Sequence, residues 1–220
     1  MAESRSRELR ASYEAEGVAE HYAGGRWSGS RHARRTHRKE LRQVARLLGW
    51  AAEASGGALG AVLDVPCGAG RFQPLLVASA GRVTAADVAR PMVERARGSG
   101  GIPAAPPLQA SAAALPFAAD SFDLVFCFRL LHHFAQPAER QAVLAELARV
   151  SRRWALVSYF DAASFQAWRH RVRGRRTVRF AQSNRAFDQE SAAAGFAPRR
   201  RLWVARGISE QVLALLERGS

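Results

Sequence analysis

A chain of 220 residues with 48% hydrophobic content is the size of one domain and long enough to bury a substantial core. No apolar run approaches the roughly 18 residues of a membrane span, MAESRSRELR at the N-terminus lacks an apolar signal core, and two cysteines, Cys67 and Cys127, make no disulfide framework, so the expected compartment is the cytoplasm. The 33 basic and 19 acidic residues give a net charge of +14, which points to an anionic partner (nucleic acid, a phospholipid surface or an acidic substrate) or to coding bias, since Lys39 is the sole lysine.

From about Thr36 to Ala54 the spacing predicts a helix, closed by Gly56–Gly57. Leu41, Val44, Ala45 and Leu48 form its apolar stripe, and Arg35, Arg38, Arg42 and Arg46 an adjacent basic one. Val62–Val65 reads as a short buried strand, followed by a glycine turn and a helix over Phe72–Ser79. Arg82–Val88 is a second strand and Arg90–Gly98 a second helix, with Pro91 in its first turn. The stretch GIPAAPPLQ reads as a proline-rich loop. FDLVFCF (Phe122–Phe128) is a continuous apolar run, the pattern of a central parallel strand covered on both faces. Pro137–Val150 is an amphipathic helix, Trp154–Phe160 another buried strand, and a helix within NRAFDQESAAAGF ends at Gly195. Two late segments, RRRLWVA and EQVLALL, read as strands, the second with a helical alternative. Strands alternating with helices predict an α/β fold, a doubly wound, Rossmann-like and mostly parallel sheet. Ligands are then expected at the carboxyl ends of its strands, near the topological switch point.

That rule puts VLDVPCGAG (Val62–Gly70) at the ligand site. Gly68 and Gly70 let the main chain approach a ligand, with their amides expected to point outward at a helix start. A dinucleotide fold requires G-x-G-x-x-G. Here Gly70 is followed by Arg71, Phe72 and Gln73, and the missing third glycine disfavours an NAD-dependent oxidoreductase. Asp87, at the end of the next strand, is placed to accept hydrogen bonds from both hydroxyls of a ribose. The expected ligand therefore has a ribose and no obligatory pyrophosphate. His132 and His133 follow the fourth strand on the same side. An imidazole there can take a proton from a phenol or enol, or simply orient the loop. Arg129 ends an apolar strand and needs either the site or a carboxylate as its partner. Asp123 reads as a strand-positioning residue. No Cys/His/carboxylate cluster has ligand spacing, so no metal is expected.

Together these blocks resemble the class I S-adenosylmethionine-dependent methyltransferases. VLDVPCGAG resembles the family's first motif, D/E-x-G-x-G-x-G, and VTAADVARPMVERAR its second. ASAAALPFAADSFDLVFC is similar to the third. LLHHF resembles the segment after the fourth strand in the branch of quinone and other small-molecule methylating enzymes, and LAELARV that branch's next helix. The resemblance runs from about Val62 to Phe160, in order and at the family's spacing. It implies a seven-stranded sheet with an antiparallel last strand, the two late segments being strands six and seven. It implies S-adenosylmethionine as cofactor and S-adenosylhomocysteine as product. The expected cofactor-binding residues are Asp64, Cys67, Gly68 and Gly70 from the first motif, Asp87 and Val88 from the second, Ser111 and Ala112 from the third, and Phe128. Asp64 would serve the methionine amino group through water and Asp87 the ribose; His132 and His133 are the candidate catalytic bases. SYEAEGVAEHYAGGRW, with Tyr13, Tyr22 and Trp27, resembles the branch's lid. Residues 1–55 are thus expected as a helical lid or cap and 56–220 as the core, in one structural domain.

Three departures stand out. Pro66 occupies the place of the family's first glycine and offers no amide. Ser111 replaces an aspartate that accepts from the adenine amino group, leaving a neutral and weaker acceptor. SRRW replaces P-G-G before the fifth strand, a change expected in a connecting turn. The expected function is methyl transfer to a small-molecule or lipid-linked acceptor with an apolar body and an anionic group. Asp161–Gln182 is expected to help wall its pocket through Phe165, Trp168 and arginines. The alternatives are RNA methylation, for which the arginine clusters speak, and a catalytically silent relative acting as a partner protein, which Pro66 and Ser111 leave open. A nucleic-acid partner is the less favoured, because RHRVRGRRTVRF has little aromatic interleaving. The acceptor atom and the oligomeric state are not legible in the sequence.

Overall fold

Helix α1 (Arg31–Ala54) starts where the Ser30 hydroxyl accepts from the Ala33 amide at 3.0 Å and ends before Gly56, which turns the chain at φ +81°. It begins at Arg31 rather than about Thr36 because that cap lies upstream of the apolar stripe and arginine is a good helix former. The computed structural model describes Ala11 and residues 29–97, 106–173 and 179–219. The lid expected around Tyr13, Tyr22 and Trp27 lies outside the described residues.

Strands and helices then alternate: β1 (Leu59–Asp64), α2 (Gln73–Ser79), β2 (Ala80–Asp87), α3 (Arg90–Arg97), β3 (Leu108–Gln109), β4 (Phe122–Cys127), α4 (Pro137–Val150), β5 (Ser151–Phe160), α5 (Phe165–Val172), α6 (Asn184–Ala193), β6 (Phe196–Trp203) and β7 (Gln211–Arg218). They form one seven-stranded sheet in the order β3-β2-β1-β4-β5-β7-β6. All pairs are parallel except β5–β7 and β6–β7, so β7 alone runs against the rest. From β1 the chain winds outward through β2 to β3, then returns to lay β4 on the other side of β1. The switch point falls between β1 and β4.

Why the strands read as continuous apolar runs is visible in the packing. Leu63, Val125, Cys127, Val157, Ala214 and Leu216 face one core, closed by Val143, Leu144 and Leu147 of α4 and Phe187 of α6. Their strand neighbours Val62, Leu124, Phe126, Leu156, Leu213 and Leu215 face the other, closed by Val44, Leu47, Leu48 and Ala51 of α1 and Leu76 of α2. Both faces of each central strand are therefore dry. Helix α1, expected within a cap, packs Leu41, Val44 and Leu48 of its stripe against this sheet, with Leu47 and Ala51 in place of Ala45, which is exposed.

Two local expectations are corrected. The end of the proline-rich loop adds a short edge strand, β3, because Leu108 and Gln109 pair with Ala86 and Asp87; two residues carry no readable period. The SRRW stretch is no connecting turn: Ser151 already opens β5 and pairs with Phe122. Its arginines sit on exposed, charge-paired positions at that strand's start, Arg152 with Asp123 and Arg153 with Glu217. Asp123 does position the strand, its Oδ2 accepting from the Ala61 amide at 2.7 Å.

Candidate active site

A cleft opens at the carboxyl ends of β1, β2 and β4, on the switch-point side predicted by the topology. Its base is the turn after β1. Asp64 ends that strand, buried, and its Oδ2 has no hydrogen-bond partner among the described residues. Burial first, and the neighbouring Asp87 charge second, push its carboxyl well above the usual range. Gly68 sits at φ +52°, and a Cβ placed there would meet no protein atom within 4 Å. The space over the turn is thus open to a ligand, and left-handed backbone at this point favours glycine.

The turn's amides, however, are used internally. The Gly68 amide donates to Asp87 Oδ2 at 2.8 Å and the Gly70 amide to the Cys67 carbonyl at 3.1 Å. The Cys67 amide donates to the Ala86 carbonyl at 2.8 Å. The expectation that Gly68 and Gly70 point their amides at the ligand is therefore corrected. Gly70, at φ +81°, shapes the turn and does not line the cleft.

Asp87 closes the arrangement from β2. Its Oδ1 accepts from the Ala89 amide at 2.9 Å, while Oδ2 holds the glycine turn. Burial pushes its carboxyl up to about 6, against the lowering pull of the Ala89, Gly68 and Val88 amides. Each oxygen keeps a further acceptor site. Cys67, Val88, Ser111, Ala112 and Phe128 also line the cleft. The Ser111 hydroxyl accepts from the Ala113 amide at 3.3 Å. Burial, with Asp64 and Asp87 next, pushes the Cys67 thiol well up, so it stays an inert thiol.

The rest of the lining is cationic and aromatic. Arg71 lies over the Phe72 ring at 4.7 Å, and Phe72 packs on Phe128 at 4.6 Å. Arg129 holds a left-handed φ of +60°, fixed by its amide donating to Ser158 Oγ at 2.7 Å. Both arginines pair with Glu40 of α1, which is fully buried: Arg129 at 2.7 Å to Oε1, and Arg71 to Oε2. Sequence reasoning left Arg129 between the site and a carboxylate; it has both. Arg179 completes the wall from the segment after α5, whereas Phe165 and Trp168 do not line the cleft. The acceptor-wall role expected of those two aromatics is corrected accordingly.

His132 and His133 lie on a 3-10 turn (Leu131–His133) and both line the cleft. His132 is buried and stacks face to face on Phe160 at 4.0 Å. His133 is only half-buried, its ring 4.3 Å from that of His132. The next residues are clamped by Arg140, which donates to the Phe134 and Ala135 carbonyls at 2.9 and 3.0 Å and pairs in a fork with Glu190 of α6.

Sequence reasoning missed Glu40. The signal was present: Glu40 stands four residues before Val44 and seven before Leu47, an acid on the apolar face of a helix otherwise rich in arginine.

Residues 62–153 match the methyltransferase domain family. A search of curated proteins finds no match to this chain. Among solved structures, magnesium protoporphyrin IX methyltransferase from Synechocystis, with bound S-adenosylhomocysteine, superposes with a TM-score of 0.76 at 17% identity, covering 97% of this chain and 99% of that one. The PH0226 protein from Pyrococcus horikoshii gives 0.64 at 19% identity, covering 82% and 92%. The YcgJ protein from Bacillus subtilis gives 0.61 at 18%, covering 79% and 97%. At such identities the likeness speaks for the fold; the match over residues 62–153 speaks for the activity. The chain carries a methyltransferase domain over residues 62–153 and shares the fold of solved S-adenosylmethionine-dependent methyltransferases.

Proposed function

We propose that this enzyme methylates a small-molecule or lipid-linked acceptor with an apolar body and an anionic group. The observation that carries the proposal is the make-up of the cleft: two buried carboxylates, Asp64 and Asp87, at the glycine turn, together with Arg71, Arg129 and Arg179 set among Phe72, Phe128 and Phe134. S-adenosylmethionine fits the acidic half. The unpartnered Asp64 Oδ2 and the open space over Gly68 are suited to a cationic amino acid and its ribose. The cofactor supplies a methyl already activated on a sulfonium, so the protein's task is alignment and exclusion of water.

In this reading Asp87 accepts from the ribose hydroxyls and Asp64 compensates the amino group, directly or through water. Val88, Ser111, Ala112 and Phe128 enclose the adenine side. Arg129 and Arg179 hold the acceptor's anion, and Phe72 and Phe134 its body. His133, the less enclosed of the pair, receives the acceptor's proton, while His132, stacked on Phe160, fixes the turn. Magnesium protoporphyrin IX methyltransferase, which matches this chain over nearly its whole length, is by its name a small-molecule enzyme.

Methyl transfer from labelled cofactor into fractionated extract tests the reading. Label is expected in small-molecule or lipid fractions, with a shallow salt dependence. Label confined to RNA, with a steep salt slope, would reject it. Ser111→Asp restores a charged acceptor, and titration calorimetry is expected to show about fivefold tighter cofactor binding. Unchanged or weaker binding would mean that Ser111 does not face the adenine.

A further inference from the structure

We infer that α5 and the neighbouring Ile208 loop form a docking surface for an anionic lipid bilayer. Helix α5 is amphipathic in the inverted sense. Ser164 caps it and Ala167 is buried against the domain, yet Phe165 and Trp168 are each 52% exposed and Val172 is 65% exposed. These three fall at i, i+3 and i+7, one face of a helix. Phe165 and Trp168 stack on each other at 5.5 Å rather than on the core. Beside them the loop before β7 presents Ile208, 65% exposed, tied to the helix start by the Phe165 amide donating to the Gly207 carbonyl at 2.8 Å and the Gln166 amide to the Ile208 carbonyl at 3.1 Å. A contiguous patch of four large apolar side chains is thus held outward by fixed backbone.

Charge identifies the occupant. Arg169, Arg171 and Arg173 flank the apolar face and are exposed, and Arg206 is exposed on the Ile208 loop. From residue 162 to 187 the sequence contains no acid. An apolar strip with a one-sign cationic rim matches the interfacial zone of an anionic membrane, where aromatic and aliphatic groups enter the acyl boundary and arginines meet headgroup phosphates. A nucleic-acid surface would have no use for Val172 and Ile208, which cannot stack on bases. The surface adjoins the cleft in sequence: Arg179, seven residues after the end of α5, lines it, and the Phe180 amide donates to the His132 carbonyl at 2.7 Å. A lipid-linked or membrane-dissolved acceptor would then meet the cleft without crossing water. The inference rests on the lipid-linked form of the proposed acceptor only for this last step.

The test is co-sedimentation of the full chain, without cofactor, with vesicles of phosphatidylcholine alone or with about one third phosphatidylglycerol. Binding is expected to the anionic vesicles only, and to weaken with salt. The pair Phe165→Ser and Trp168→Ser, and separately the pair Arg169→Glu and Arg171→Glu, are each expected to weaken it about tenfold or more, with calorimetric binding of S-adenosylmethionine unchanged as the check on folding. The inference is overturned by no binding by the wild type, by full binding by both variants, or by light scattering that shows a dimer dissolved by the apolar substitutions. Retention on RNA but not on vesicles would do so too. Because no methyl transfer is measured, failure here leaves the acceptor reading standing, and the reverse also holds.

Discussion

Asp87→Asn is expected to weaken S-adenosylmethionine binding by about two orders of magnitude at neutral pH, roughly 2–4 kcal/mol. Both carboxylate oxygens already accept a backbone amide, from Gly68 at 2.8 Å and Ala89 at 2.9 Å, and each retains one more acceptor site for a ribose hydroxyl. Asparagine turns one oxygen into an NH2 group that faces an amide N–H, so it loosens the glycine turn as well as one ribose contact. The effect depends on pH in a defined direction. Burial raises the Asp87 carboxyl to about 6. Protonation below that value removes the stronger acceptor, so cofactor affinity should fall as pH drops through about 6. Stability of the free protein moves the other way. The folded state holds this proton where the unfolded chain, with an ordinary carboxyl, has lost it, so the contribution to stability declines as pH rises from 3.8 to about 6. Asp64, also raised by burial and by Asp87, titrates in the same surroundings, so the difference between wild type and Asp87→Asn is what isolates Asp87. Calorimetric titrations and thermal melts at about pH 5 and about pH 7.5 read both slopes. A variant that melts normally and binds as tightly as wild type at neutral pH would remove Asp87 from the ribose.

What the sequence made legible follows from what burial does to residue choice. Strands dry on both faces had to be unbroken apolar runs, so β1, β4 and β5 were readable from VLDV, FDLVFC and WALVSYF. Helix ends carry chemical marks, Pro137 at one and Gly195 at another, and these boundaries came within a residue or two. The cleft was legible where chemistry and topology coincide: Asp64 and Asp87 end adjacent strands, and the glycine turn between them needs left-handed backbone. Directions of backbone groups were not legible. Whether the Gly68 amide faces a ligand or Asp87 depends on a turn path that composition leaves open. Nor was the strand at Leu108–Gln109 legible, being too short for a period. Arg129 shows the limit most clearly. Its left-handed φ is imposed by Ser158 and Glu40, 29 and 89 residues away in sequence, and no local pattern encodes such a constraint.

Glu40 is the residue on which the cationic wall depends, and Glu40→Gln is expected to cost about 3 kcal/mol of stability, lowering Tm by about 6–12 °C. The carboxylate is fully buried and serves two cations at once, joining α1 to the turn after β1 through Arg71 and to the end of β4 through Arg129. Glutamine keeps one acceptor oxygen but presents an NH2 group to the other arginine, leaving that charge without its counter-ion. Arg71 and Arg129 are 13% and 22% exposed, so water entering from the cleft relieves part of the penalty; this places the figure at the lower end of the range for broken buried pairs. A second loss should follow in function. Arg71 also donates from Nε to His37 Nδ1 at 2.9 Å and covers Phe72, so releasing it from Glu40 frees the ring that backs Phe128. Thermal melts with cofactor titration separate the two losses when Glu40→Gln is compared with the combined Glu40→Leu, Arg71→Met and Arg129→Met variant. Removing all three charges together takes away both pairs at once, so stability should recover most of the way to wild type, short of it by what Arg129 gives the buried Glu210. Methyl transfer should stay impaired, because Arg129, one of the two cations proposed to meet the acceptor's anion, is gone and Arg179 is left alone. Should Glu40→Gln melt within about 2 °C of wild type, the two pairs would be solvent-screened contacts of little energetic weight, and the wall would have to be held by the packing of Phe72, Phe126 and Phe128 alone.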